Sequence, residues 1–189
     1  MTLLVLQIDV PGLPGSGQSA RDMLDALRNS LPEIVSFAIS FWVIGRYWLA
    51  HHWFFSRLQR LDRRALALNL TYLGFVAFLP FPTALIGEYE QNSIAFVVFA
   101  LSMAAVSLME LVIARHALRS NLLGLEVPGQ VWRWTRLASG FPVAIFVLSI
   151  PVAFLNPTVA LLSWLVFAPV GLLINRRMPP EIQAYFGAY

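Results

Sequence analysis

The stretch LPEIVSFAISFWVIGRYWLAHHWFF, Leu31–Phe55, decides the fold. It is long enough to cross a hydrocarbon core of roughly 30 Å as a helix, which takes about 17 to 25 mostly apolar residues. Four more segments of the same character follow: Ala65–Ile86, Ser93–Ala114, Leu137–Leu155 and Thr158–Ile174. Of the 189 residues, 58% are hydrophobic and 12% charged, where a soluble domain carries roughly 25% charged residues. These numbers describe an integral membrane protein. In lipid the backbone must satisfy its own hydrogen bonds, and segments of this length do so as helices.

Upstream, Met1–Val10 (MTLLVLQIDV) is apolar but would reach only about 15 Å as a helix, half of the bilayer core. It lacks the basic start of a signal peptide, since the first arginine is Arg21. The expectation is the second half of a spanning helix whose first half precedes this chain, with a frayed apolar terminus as the simpler alternative. Pro11–Ser30 begins with turn residues. Met23, Leu24 and Leu27 then recur at helical spacing, which predicts a short surface helix over Ser19–Leu27 with Ser19 as its N-cap. The expected architecture is therefore an all-α, polytopic membrane helix bundle. It holds five full transmembrane helices plus an N-terminal half-helix, six in the full-length form, in a single domain over residues 1–189.

Charge placement gives orientation. All thirteen basic residues are arginine, and ten lie on one side: Arg57, Arg60, Arg63, Arg64, Arg115, Arg119, Arg133, Arg136, Arg176 and Arg177. The positive-inside rule makes that side cytoplasmic, so the C-terminus is cytoplasmic in a multi-pass protein of the plasma (inner) membrane. Arginines confined to short gaps between apolar segments are a topology signal and not a nucleic-acid surface. The gap from Arg115 to Arg136, with Trp132 and Trp134 among arginines, suits an amphipathic segment lying at the headgroups. Pro142, Pro151 and Pro169 should kink their helices, and Asn156–Pro157 is a hairpin tight enough to make its two helices antiparallel neighbours.

The densest polar chemistry at membrane depth lies between Phe41 and Leu58: Arg46, His51 and His52 among Trp42, Trp48 and Trp53. Such groups are expensive in lipid and usually serve a purpose. A metal site is disfavoured, because neighbouring helix residues point about 100° apart and no H-E-x-x-H pattern or nearby carboxylate exists. With no cysteine there is no thiolate ligand either. Catalysis lacks a convergent nucleophile, base and oxyanion pocket. Trp48, His51, His52 and Phe55 recur at three- and four-residue steps, which predicts a polar shelf packed on another helix, with Asn69 as a partner. Trp42 could offer Arg46 a cation–π contact, and Glu110 is expected to snorkel from near its helix end. No single subunit of this composition offers a polar pathway, so an ion path would lie on a symmetry axis between subunits, closed by apolar rings that gate through dewetting.

Trp48, His51 and His52, the arginine-rich loop, Asn69 and LPFPTALIGEY from Leu79 to Tyr89 together closely resemble the bacterial form of the transmembrane protein 175 family of potassium channels. The resemblance covers the whole chain. It implies a homotetramer with cytoplasmic termini and a pore lined by the first helix. Residues Thr2 to Ile8 match the end of that helix, so Leu3 and Leu6 are expected to supply apolar rings and Thr2 a hydroxyl ring. Trp48, His51, His52 and Asn69 are expected to form the shelf on which the first helix's Arg-x-x-x-Phe-Ser-Asp signature docks. The signature itself is not in this chain, and a start codon assigned too far downstream is the simplest expectation. The implied activity is a potassium-permeable cation channel with modest selectivity. It has no voltage sensor, no cofactor, potassium as permeant ion, and no enzymatic role. The competing readings are a non-conducting membrane scaffold and a histidine-dependent intramembrane enzyme.

Overall fold

The structure is a computed structural model that describes residues 20–89, 91–124, 129–166 and 170. Thr2, Leu3 and Leu6 lie outside the described residues, as do Pro169 and the side chains of Trp42 and Arg46. The described elements are helices: α1 (Ala20–Asn29), α2 (Leu31–Phe55), α3 (Arg63–Phe78), α4 (Pro80–Glu88), α5 (Ser93–Arg119), α6 (Gly129–Ala153) and α7 (Pro157–Ser163), then a 3₁₀ turn (Trp164–Val166). Contacts divide the chain into two units, Met1–Arg46 and Tyr47–Tyr189.

In the first unit α1 falls where the spacing of Met23, Leu24 and Leu27 predicts a helix, and those three side chains remain exposed. Arg28 and Asp25 pair at 3.4 Å on its surface, a contact that adds little in water. Ser30 accepts Ile34 N–H through its carbonyl while its own N–H meets the Ala26 carbonyl, so the backbone passes from α1 into α2 with little interruption.

In the second unit α5 is the central element and packs against α3, α4 and α6, while α7 packs on α6. The reason lies in its side chains. Ala95, Ala100, Ala104, Ala114 and Ala117 are all buried, and small residues let membrane helices approach closely where no hydrophobic drive holds them together. At one end Phe96, Ala100, Ala153 and Ala160 form a core with Trp164 against it. Trp164 donates its indole N–H to Ser149 Oγ (3.0 Å), and Ser149 donates to the Phe146 carbonyl (2.8 Å). At the other end Ala65, Ala117 and Leu122 enclose Phe54 and Leu58.

Among the described residues, two continuous helical stretches, Arg63–Glu88 and Ser93–Arg119, are long and apolar enough to cross a bilayer. Only 17% of the apolar window is buried in the first. Its exposed large apolar residues are leucines and phenylalanines; Leu70 is 72% exposed and Leu148 on α6 71%. An apolar surface of this extent suits contact with lipid.

Two boundaries differ from the sequence-based expectation. The segment Ala65–Ile86 is broken at Leu79, because Pro80 and Pro82 donate no N–H to the ladder; Leu79 N–H turns back to the Val76 carbonyl instead (3.3 Å). The gap Arg115–Arg136 holds no separate interfacial segment among the described residues. α5 continues to Arg119 and α6 starts at Gly129, carrying Trp132 and Trp134 in its opening turns. Alanine, leucine and arginine favour continuation of α5 to Arg119, and Asn121, just past the Ser120 cap, takes the positive φ that ends it. Helix α7 passes at Ser163 into the 3₁₀ turn Trp164–Val166, and residues 167–169 and 171–174 of the expected Thr158–Ile174 segment lie outside the described residues. Pro142 and Pro151 do lie inside α6, and Asn156 caps α7 by accepting Val159 N–H at 3.1 Å.

A polar network crosses this unit. Tyr72, 1% exposed, donates toward the Tyr47 carbonyl (3.1 Å) and Glu110 Oε1 (3.2 Å). Tyr47 Oη lies 3.2 Å from Ser107 Oγ. Glu110 therefore does not snorkel. Arg119 ends α5 about two and a half turns beyond Glu110, and the carboxyl is held by a phenol on α3. Outside the spanning stretches, Asp62 caps α3 by accepting Ala65 N–H (2.6 Å) and meets His116 Nε2 at 2.9 and 3.0 Å. The Ala65 amide first, and His116 next, hold its carboxyl below the usual carboxylate range.

Tyr72→Phe is expected to destabilise the fold by about 1–3 kcal/mol, the cost of leaving buried acceptors without a donor. Combined with Glu110→Gln it should cost less than the sum of the single changes, measured by unfolding in detergent. Because the Asp62 pKa is depressed in the folded state, its stabilisation is present above the unfolded value of about 4 and lost as pH falls through the folded one. Acid unfolding of Asp62→Asn should be correspondingly less steep than that of the parent chain.

Candidate functional site

The face of α2 that carries the histidines divides in two. His51 turns toward α3, where its Nε2 lies 2.6 Å from Asn69 Oδ1. An amide oxygen only accepts, so Nε2 carries the proton. The imidazole stacks on the Tyr72 ring at 4.9 Å with 6° between planes, and on Phe55 at 4.3 Å. Asn69 and Tyr72 are three residues apart on α3 and present one face, so hydrogen bond and stack fix the same ring.

His52 points elsewhere, as the 100° step of a helix requires. It stacks on Trp48 at 5.2 Å and 11°, and both residues are exposed. Two ring pairs, each four residues apart, therefore stand side by side. His51–Phe55 is turned into the unit, and Trp48–His52 is an aromatic surface open on one side. The spacing anticipated a shared side for these residues and did not separate the two roles.

Tyr72 is the residue that sequence reasoning missed. Its ring holds His51 and its hydroxyl meets Glu110, so it ties the α2 face to α5. The signal was available as Asn69 with Tyr72, and Ser107 with Glu110. Each is a polar pair at a three-residue step inside an apolar helix.

Chemically this arrangement binds and positions. Among the described residues no three His, Cys, Asp or Glu side chains gather as a metal-holding group. Asp62, His116 and Ser120 do line up, with Ser120 Oγ 3.4 Å from His116 Nδ1. Ser120, however, is the C-cap of α5, its N–H bound to the His116 carbonyl. A hydroxyl at that distance, on the same helix as the imidazole, is not poised as a nucleophile.

The TMEM175 family model, described as "Endosomal/lysosomal potassium channel TMEM175", matches residues 1–80. A potassium channel of Streptomyces collinus is 32% identical over 166 residues, spanning 85% of this chain and 79% of the relative. A potassium channel of a Chryseobacterium species is 25% identical over 187 residues, spanning 97% and 90%. The fold is similar to the crystal structure of a lysosomal potassium-selective channel TMEM175 homolog from Chamaesiphon minutus. The TM-score is 0.64 at 26% identity, with 91% of this chain and 88% of that one covered. Helix order, the arginine-rich α2–α3 loop and these likenesses lead to one assignment: the chain belongs to the TMEM175 family.

Proposed function

We propose that this chain is the subunit of a potassium-permeable cation channel in the plasma membrane. The observation that carries the reading is the 32% identity with a relative named as a potassium channel, sustained over 85% of the chain. The family is one of ion channels, and an enzymatic role is set aside at that level. Potassium is the permeant ion, and no cofactor is assigned.

In this reading residues 1–189 form one transmembrane domain with five spanning helices, a pore-lining N-terminal segment and a cytoplasmic C-terminus. Four copies surround an axial pore, where Thr2, Leu3 and Leu6 supply the narrow rings. Trp48, His51, His52 and Asn69 serve as the shelf that receives the pore-lining helix. The His51–Asn69 hydrogen bond and the open Trp48–His52 surface support that role, because a fixed ring next to an exposed aromatic pair suits helix docking.

Protein reconstituted in liposomes should pass potassium down a gradient and elute in detergent with the mass of four chains. Sealed vesicles, or a monomer by light scattering, would overturn the channel reading. His51→Ala and Asn69→Ala should each reduce the flux. Their stability effects should couple by about 1 kcal/mol, as expected for a shared, partly buried hydrogen bond. Fully additive effects would remove the shelf from the proposal.

A further inference from the structure

The facing ends of α5 and α6 enclose a cavity of about 330 Å³ lined by Leu111, Arg115, Arg119, Trp132 and Arg136. On α5, Leu111, Arg115 and Arg119 follow one another at four-residue steps. On α6, Trp132 and Arg136 do the same. Each helix thus turns one stripe toward the cavity, and the two stripes bring three guanidiniums to one small volume.

Among the described residues no carboxylate pairs with them. The described ion pairs are Arg28–Asp25 and His116–Asp62, and none of the three arginines takes part in a described hydrogen bond. Like charges four residues apart on a helix repel, so Arg115 and Arg119 carry a cost that an anion in the cavity would relieve. A guanidinium offers a planar fork of N–H donors suited to phosphate oxygens.

The rest of the lining says which anion. Leu111 lies one turn farther into the spanning helix than Arg115, and Leu108, about one turn before Leu111, and Leu137, next to Arg136 in the chain, are exposed. Trp132 supplies an indole of the kind that sits at headgroup level. A soluble anion would use the arginines and leave the leucines unemployed. A phospholipid uses both, its phosphate among the guanidiniums and its acyl chains along the leucines.

We propose that this cavity is a binding site for the phosphate headgroup of an anionic phospholipid. The site lies at the arginine-rich membrane face, where basic pockets between helices meet anionic headgroups. It is separate from the His51–Asn69 face and does not depend on the channel reading.

The test uses the full chain in an uncharged detergent, with bound lipid counted by native mass spectrometry. Phosphatidylglycerol, phosphatidylcholine and inorganic phosphate are the three probes. Phosphatidylglycerol should bind more tightly than phosphatidylcholine. Arg115→Gln, Arg119→Gln and Arg136→Gln together should weaken it by about tenfold or more, as expected for loss of charge-assisted hydrogen bonds. Arg133→Gln, exposed and outside the cavity lining, should bind as the parent does. Equal binding of the two lipids, or unchanged affinity in the triple variant, would overturn the proposal. So would displacement of the lipid by millimolar inorganic phosphate, which would make the site one for a free anion. If the triple variant does not fold, Arg119→Gln alone decides: weakened phosphatidylglycerol binding upholds the site and parental affinity removes it.

Discussion

A polar side chain in hydrocarbon has no water to return to, so each one placed there must find its partner within the protein. Tyr72 is where this constraint concentrates. One residue supplies a hydroxyl between the Tyr47 carbonyl and the Glu110 carboxyl, and a ring face against His51. Three helices therefore meet at a single side chain. The apolar contacts at this end of the unit, Ala65, Ala117 and Leu122 with Phe54 and Leu58, are non-directional and tolerate sliding, whereas hydrogen bonds of fixed length do not. The network sets the register of α2, α3 and α5, and packing fills the space around it.

Much of this was legible in the sequence. Apolar run length located the helices, because the bilayer imposes a length that a soluble core does not. Asn69 could be named as a partner for the histidines because few other polar groups lie at a comparable depth. What could not be read was pairing across helices. Glu110 was expected to reach for the interface, since its distance from Arg115 suggested a nearby helix end. The extra turn to Arg119 and the phenol on α3 are tertiary facts with no local signature. Similarly, His51 and His52 are indistinguishable by composition, and only the rotation of α2 against α3 assigns one to Asn69 and the other to Trp48.

The break at Leu79 shows a local signal and a global one acting together. Pro80 and Pro82 announce a helix start, which is where α4 begins. Run length argues for one uninterrupted span. Both hold: the helical path continues from Arg63 to Glu88 while its hydrogen-bond ladder is interrupted. Buried Leu79 and Pro82 keep the two pieces in line. The family assignment is compatible with such detail, since it rests on the whole order of helices and not on one turn.

The two ends of α5 are fastened by different chemistry. At its start, Asn92 and Asn156 cap helices, Gln91 bonds Thr158 and Ser93 bonds the Ala153 carbonyl, all between uncharged groups. At its finish the fastening is a carboxylate on an imidazole, among arginines. Changes of acidity or ionic strength therefore act more strongly on the second fastening than on the first. A membrane separates two solutions, and the two fastenings of α5 answer to them unequally.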